Sequence, residues 1–236
     1  MSRLQITERE VRSPRVGRPL TFALVCDLHD GEYSSVMDVL AKADAILIVG
    51  DLVNRHTGGY QNALRFLRDA PDVAPVFYAT GNHERRLRGR EAYWAQVRKS
   101  RVTVLDNRFE RFEGIVLGGL SSAQGGAADA SFLADMAREE GFRLLMCHHP
   151  EYFARYIRAY PIDLTVSGHA HGGQVRILGR GLYAPGQGIF PKLTSGFYEG
   201  GRLYVSRGMT NSAHAPRLNN PCELTLLRLT PEKGRE

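Results

Sequence analysis

Five short apolar runs in this chain each end on a polar cluster of Asp, His or Asn. Leu20–Cys26 runs into Asp27-Leu28-His29, Ala45–Val49 into Gly50-Asp51, and Val76–Ala79 into Gly81-Asn82-His83-Glu84. Leu144–Cys147 runs into His148-His149-Pro150, and Leu164–Val166 into Gly168-His169-Ala170-His171-Gly172. Runs of three to seven mainly β-branched and aliphatic residues bounded by such clusters read as buried strands. Open α/β sheets place their ligands at the carboxyl edge of the strands, so these five clusters are expected to share one rim. Singly, each cluster is also what an ordinary turn after a strand would carry. Five in succession constrain the fold far more than any one of them.

Between the early runs the chain reads as helix, over Ser34–Lys42, Tyr60–Arg68, Arg90–Lys99 and Phe132–Glu139. Further strands are expected at Val102–Leu105, Gly114–Leu117, Gln174–Ile177, Leu203–Val205 and Glu223–Leu229. The later part has little helix between its strands. That mixture predicts an α/β fold of two sheets packed face to face with helices outside, rather than one doubly wound sheet. Arg3–Val11 alternates as an edge hairpin would, giving a hairpin or extension over residues 1–19, and the tail 231–236 is expected to fray. With no linker and no repeat, residues 1–236 read as a single domain.

Composition removes several classes. Hydrophobic residues are 43% and charged residues 24% of 236, the range of globular proteins. No apolar run approaches bilayer-spanning length, and the first residues carry no secretory h-region. Three cysteines, Cys26, Cys147 and Cys222, do not make a disulfide framework, so a reducing, cytoplasmic setting is expected, with peripheral membrane contact left open. Lys plus Arg exceeds Asp plus Glu by 31 to 25, a net +6. Such a charge fits a solvated basic surface as well as an anionic partner, and no second basic domain or aromatic-interleaved motif supports nucleic-acid binding.

Two carboxylates, an amide and four histidines converging on one rim are the donor set of a two-metal centre. Oxygen and imidazole donors without thiolate suit Mn, Fe or Zn. Asp27 and His29, like His169 and His171, are two apart and so face the same side while strand geometry lasts.

The pattern D-x-H, G-D, G-N-H-[DE], H and G-H-x-H resembles the calcineurin-like metallophosphoesterases. The resemblance implies a four-layer α/β/β/α sandwich of two mixed sheets. It also implies one ion held by Asp27, His29, Asp51 and His171, and a second by Asp51, Asn82, His148 and His169, with Asp51 bridging. His148 rather than His149 is implied because the family's ligand stands two residues before a proline, here Pro150; His149 then packs or supports. By the same resemblance His83 acts on the leaving group or a phosphoryl oxygen, and a hydroxide shared by the two ions attacks phosphorus in line.

In the phosphoprotein phosphatase branch the catalytic histidine is supported by an Asp followed by a phosphate-binding Arg; here Asn54 and Arg55 stand in those places. A neutral Asn54 would stabilise an imidazolium less than a carboxylate, so an acid role for His83 would fade at lower pH. Arg55 either grips a phosphate oxygen or is a surface arginine, and the same two readings apply to Arg85 in the cluster Arg85–Arg90. Cys26 and Cys147, each just before a ligand, read best as small core residues. Leu182–Tyr198, rich in Gly, Pro and aromatics, either covers a small core of its own or presents an apolar edge to an acyl chain or a membrane.

Further likeness in His169–Arg176, Tyr183-Ala184-Pro185, Leu203–Gly208 and Asn219–Glu223 is similar to the YkuE/YaeI branch of bacterial phosphodiesterases. Some members of that branch cleave a lipid-linked nucleotide, UDP-diacylglucosamine, at its pyrophosphate. The expectation is therefore a binuclear phosphodiesterase or pyrophosphatase of a small or lipid-linked phosphate ester. A phosphomonoesterase or nucleotide phosphatase is the alternative within the enzymes, and a metal-bound scaffold the alternative outside them.

Overall fold

The structure, a computed structural model, describes residues 4–123, 125–211 and 216–232. Strands β1 (Leu4–Ser13), β2 (Leu20–Val25), β3 (Ala45–Val49), β4 (Val76–Ala79) and β5 (Thr103–Val104) belong to the first sheet. The second sheet opens with β6 (Arg108–Phe112), β7 (Ile115–Leu120), β8 (Phe142–Cys147) and β9 (Leu164–Ser167). Two small hairpins follow, β10 (Arg176–Ile177) with β11 (Arg180–Gly181) and β12 (Tyr183–Ala184) with β13 (Gly188–Ile189). Then β14 (Gly196–Tyr198) and β15 (Leu203–Val205) complete the second sheet, and β16 (Cys222–Pro231) returns to the first. The orders are β1-β16-β2-β3-β4-β5 and β14-β15-β9-β8-β7-β6.

The layers follow from residue parity. Phe22, Leu24 and Cys26 face the other sheet and meet Leu144, Met146, Val166 and Tyr204 across the interior. Ala23 and Val25 face outward under helices α1 (Met37–Leu40) and α2 (Gln61–Asp69), where Leu40 and Phe66 are fully buried. On the outer face of the second sheet, Leu145, Cys147 and Val205 pack beneath α5 (Leu133–Met136) and the π-helical turn Phe153–Ile157. Two more helices, α3 (Asn82–Arg85) and α4 (Arg90–Val97), lie between β4 and β5 in the chain. Parallel strands covered on both faces read as continuous apolar runs, which is why β2, β3 and β4 were visible without alternation. The result is the four-layer α/β/β/α sandwich of two mixed sheets.

Three details differ from the sequence reading. The edge hairpin over 1–19 is a single edge strand: β1 pairs parallel with β16, which is inserted between it and β2. The connection Pro14–Pro19 therefore spans one strand instead of making a tight turn. Pro231 does not fray but closes β16, while 233–236 lie outside the described residues. Finally β7 continues through Gly118 and Gly119 to Leu120; a Cβ at Gly119 would collide with the carbonyl oxygen of Leu105, so glycine here lets the two sheets approach.

No helix among the described residues is long and apolar enough to cross a membrane. The three cysteines are buried and unpaired. Burial pushes the thiols of Cys26 and Cys147 up, as expected of core residues rather than nucleophiles.

Candidate metal centre

All five polar clusters leave their strands at one edge of the paired sheets. Asp27, His29, Asp51, His169 and His171 take positive φ, between +46° and +66°. For residues with a Cβ this costs on the order of 1 kcal/mol each, and Asp, Asn and His tolerate it best. Such strain persists where the surroundings over-determine it. Main-chain ties do so here: His29 N–H donates to Asp51 O (2.9 Å), Asp27 N–H to Gly50 O (3.2 Å) and Gly168 N–H to His148 O (3.1 Å). Gly50, at φ +82°, has Gly81 and His148 within 2.8 Å of where a Cβ would stand.

Glu84, the last residue of the G-N-H-E cluster, organises this floor. Its carboxylate is completely buried and accepts from the backbone N–H groups of Gly81 (2.7 Å), Asp51 (2.9 Å), Leu52 (2.7 Å) and Val53 (3.3 Å). The sequence marks the residue but not this role, because three of its four partners lie 31 to 33 positions earlier. Glu84→Gln would point an amide N–H₂ at donors, and is expected to lower unfolding free energy by about 2–4 kcal/mol. Urea denaturation checks this; a change below about 0.5 kcal/mol would show the carboxylate is dispensable.

Two donor groups form on this floor. Asp27, His29 and His171 bring donor atoms together in one, and Asp51, His148 and His169 in the other. Asp27 Oδ1 stands 3.6 Å from His171 Nε2 and 3.8 Å from His29 Nε2. Asp51 Oδ2 lies 3.1 Å from His148 Nε2 and 3.8 Å from His83 Nε2, and Asp51 also groups with His29 and His83. His148 Nδ1–H donates to Val49 O at 2.9 Å, which turns Nε2 toward the carboxylates. The amide oxygen of Asn82 is buried without any hydrogen-bond partner. An orphaned acceptor beside buried carboxylates and imidazoles is what a cation site requires, and all the donors are oxygen or nitrogen.

Electrostatics point the same way. Burial alone would push His148 down, but the carboxylates of Asp51 and Asp27 override it and hold the ring up at about 10. Burial lifts Asp27 to about 7. Burial would raise Asp51 as well, yet His148, His83 and His29 keep it well below the usual carboxylate range. Burial lowers His29 to about 3 and holds His169 and His171 well down. Without a cation, then, one proton on His148 neutralises part of the buried negative charge.

Above this floor opens a cavity of about 540 Å³. Arg55, His56, His83, Arg86, His149, Glu151, Tyr183 and Pro185 line it above the donor groups. His149 packs its ring 4.2 Å from that of His169 and sets Nδ1 3.2 Å from Glu151 Oε1, and these three residues also bring donor atoms together beside the second group.

Two sequence expectations require correction here. Asn54 does not orient His83: its Oδ1 accepts from His56 N–H at 2.9 Å, closing a local Asx-type turn. The group that meets His83 Nδ1 is the backbone N–H of Arg55, at 3.2 Å. Nor does Arg85 reach the cavity. It bonds Asp106 at 2.5 Å, and the next residue, Arg86, takes the wall instead, a consequence of the phase of α3.

Arg217 carries no sequence signal of a role at this site. It is only 7% exposed and donates to His171 Nδ1 at 3.0 Å and to Thr210 O at 2.6 Å. It lies in an irregular stretch just before the Asn219–Glu223 motif, which does not include it.

Comparison with known proteins bears on this arrangement. The chain is 27% identical to an uncharacterised metallophosphoesterase of Campylobacter jejuni over 97% of its own length and 64% of that protein's, so it spans less than two thirds of that relative. YkuE of Bacillus subtilis, an uncharacterised metallophosphoesterase, is 25% identical, with 96% of this chain and 85% of that protein covered. The phosphodiesterase YaeI of Escherichia coli is 28% identical, with 89% and 82% covered. A sequence profile described as calcineurin-like phosphoesterase matches residues 20–173, from the first buried strand to just past His171. That span takes in β2 to β9, the strands of both sheets that carry the donor clusters, and the chain belongs to the calcineurin-like phosphoesterase family.

Proposed function

We propose that this chain is a binuclear metal-dependent phosphodiesterase or pyrophosphatase acting on a small or lipid-linked phosphate ester. The observation that carries the reading is the placement of Asp51, whose carboxylate stands within reach of both donor groups beside the orphaned oxygen of Asn82. Asp27, His29, Asp51 and His171 would hold one divalent ion, and Asp51, Asn82, His148 and His169 the other, with Mn, Fe or Zn suited to the donors. Two such ions supply a nucleophile from water at neutral pH and offset the charge on phosphoryl oxygens.

The protein's own groups do the rest. Arg55 and Arg86 present guanidinium groups to the anionic substrate in this cavity. His83 accepts the Arg55 N–H at Nδ1, so its neutral ring carries its proton on Nε2, aimed toward the floor. From there it donates to a phosphoryl or leaving-group oxygen. The name of YaeI, a phosphodiesterase, favours a diester over a monoester.

The test uses metal-stripped protein with Mn, Zn, Fe or Mg restored singly, assayed on bis-p-nitrophenyl phosphate and p-nitrophenyl phosphate. Metal-dependent turnover favouring the diester is expected. Preference for the monoester would make it a phosphomonoesterase, and two bound ions with no turnover of either would favour a scaffold.

Ion uptake should also move protons. Because His148 keeps its proton up to about 10 and Asp27 is half protonated at about 7 without the ions, loading at pH 7 is expected to release about one and a half protons per chain, and affinity should rise with pH. Calorimetry in two buffers of different ionisation enthalpy reads this number. Zero release would contradict the assignment of His148.

A further inference from the structure

The hairpins that follow the second histidine pair carry an apolar lip that stays exposed among the described residues. Leu178 is 98% exposed, Phe190 75%, Ile189 74%, and Ile177, Leu218 and Tyr183 are 50–55% exposed. Backbone hydrogen bonds lace these segments into one surface: Leu182 N–H donates to Val175 O (2.9 Å), Phe190 N–H to Leu182 O (2.9 Å) and Arg176 N–H to Leu218 O (3.0 Å). Leu178 and Phe190, the two most exposed, are held at φ +48° and +54°. Turns at these positions would form more readily with Asn or Gly, so two large apolar side chains are presented to solvent in a costly backbone conformation.

The segment that carries the lip is cationic, and the carboxylate set against it, Glu151, lies at the Gly186 end beside the cavity. Residues 164–198 contain Arg176, Arg180 and Lys192 and no Asp or Glu. The Arg176 guanidinium is occupied by Gly172 O and Thr194 Oγ1, whereas Arg180 and Lys192 are exposed and border the same hollow as Phe190. The lip also meets the cavity over the metal centre, because Tyr183, half exposed, is part of its lining.

We propose that this lip docks on an anionic lipid bilayer, with Leu178, Ile189 and Phe190 entering the headgroup boundary and Arg180 and Lys192 facing the acidic headgroups. Projecting apolar tips ringed by cations are the composition of interfacial membrane contacts. Each Lys or Arg near an anionic leaflet strengthens binding by about fivefold. The cavity over the metal centre would then face the membrane surface. The inference concerns binding alone and does not depend on which ester is cleaved.

Co-sedimentation with vesicles tests it, using phosphatidylcholine alone and roughly one part phosphatidylglycerol in four at about 0.1 M salt. The protein should sediment with the anionic vesicles only. Leu178→Ser with Phe190→Ser should weaken binding by about tenfold or more, and Arg180→Glu with Lys192→Glu by about twentyfold or more. Turnover of a soluble diester and the melting temperature should stay close to those of the parent, which separates a failed lip from a failed catalytic reading or a misfolded variant. No sedimentation with anionic vesicles, or sedimentation indifferent to both double variants, overturns the proposal. A dimer in light scattering that Leu178→Ser dissociates would assign the lip to a second copy of the chain and overturn it equally.

Discussion

Asp51→Asn is expected to cost at least about 10³-fold in kcat/KM and to reduce the bound ions from two to one or none. The substitution is close to isosteric. Asp51 Oδ1 accepts the N–H of His83 at 2.8 Å, which an amide oxygen can still do, while an amide N–H₂ in place of Oδ2 can donate to His148 Nε2 at 3.1 Å. The fold should therefore survive while the negative charge shared by both donor groups is lost. Elemental analysis beside steady-state kinetics reads the two effects together. A variant that keeps two ions and full turnover would remove Asp51 from the centre.

His83→Ala should lower kcat by about 10²–10⁴-fold and leave the ion count at two. The loss should be larger for an alkyl leaving group, which needs a proton, than for p-nitrophenolate, which does not. Its pH dependence follows from the geometry. Burial lowers His83 to about 4, and a second proton on Nδ1 would displace the Arg55 N–H. The ring thus stays neutral with a proton on Nε2 throughout neutral pH, and activity should show no break between about pH 5 and 8 that His83→Ala removes. Such a break, present in the parent and absent in the variant, would mean that the ring works as an imidazolium. Unchanged turnover would take the residue out of the mechanism.

These two predictions rest on residues legible in the sequence, and the reason is topological. β2, β3, β4, β8 and β9 are parallel strands buried on both faces, so each appears as a bare apolar run with its polar cluster at the carboxyl end. Parallel pairing then brings those ends to a common rim. What escaped notice depends on main-chain geometry or long-range order. Asn54 looked like the partner of His83 because a sequence comparison weighs side chains, while the actual partner is a backbone N–H one residue on. Arg85 and Arg86 are adjacent, and only the phase of a four-residue helix decides which reaches the cavity. The alternation in Leu4–Ser13 showed a strand, but nothing local indicated that β16, over two hundred residues later, would slip between it and β2. Glu84 and Arg217 act on groups far away in the chain, through contacts that no short motif encodes.

The central claim is that seven side chains hold two ions that share Asp51. The most direct measurement is an anomalous difference map from crystals grown with Mn. Two peaks about 3.5–4 Å apart are expected on either side of the Asp51 carboxylate, one against Asp27, His29 and His171 and the other against Asn82, His148 and His169. A single peak, or peaks that leave Asp51 uncoordinated, would contradict the account.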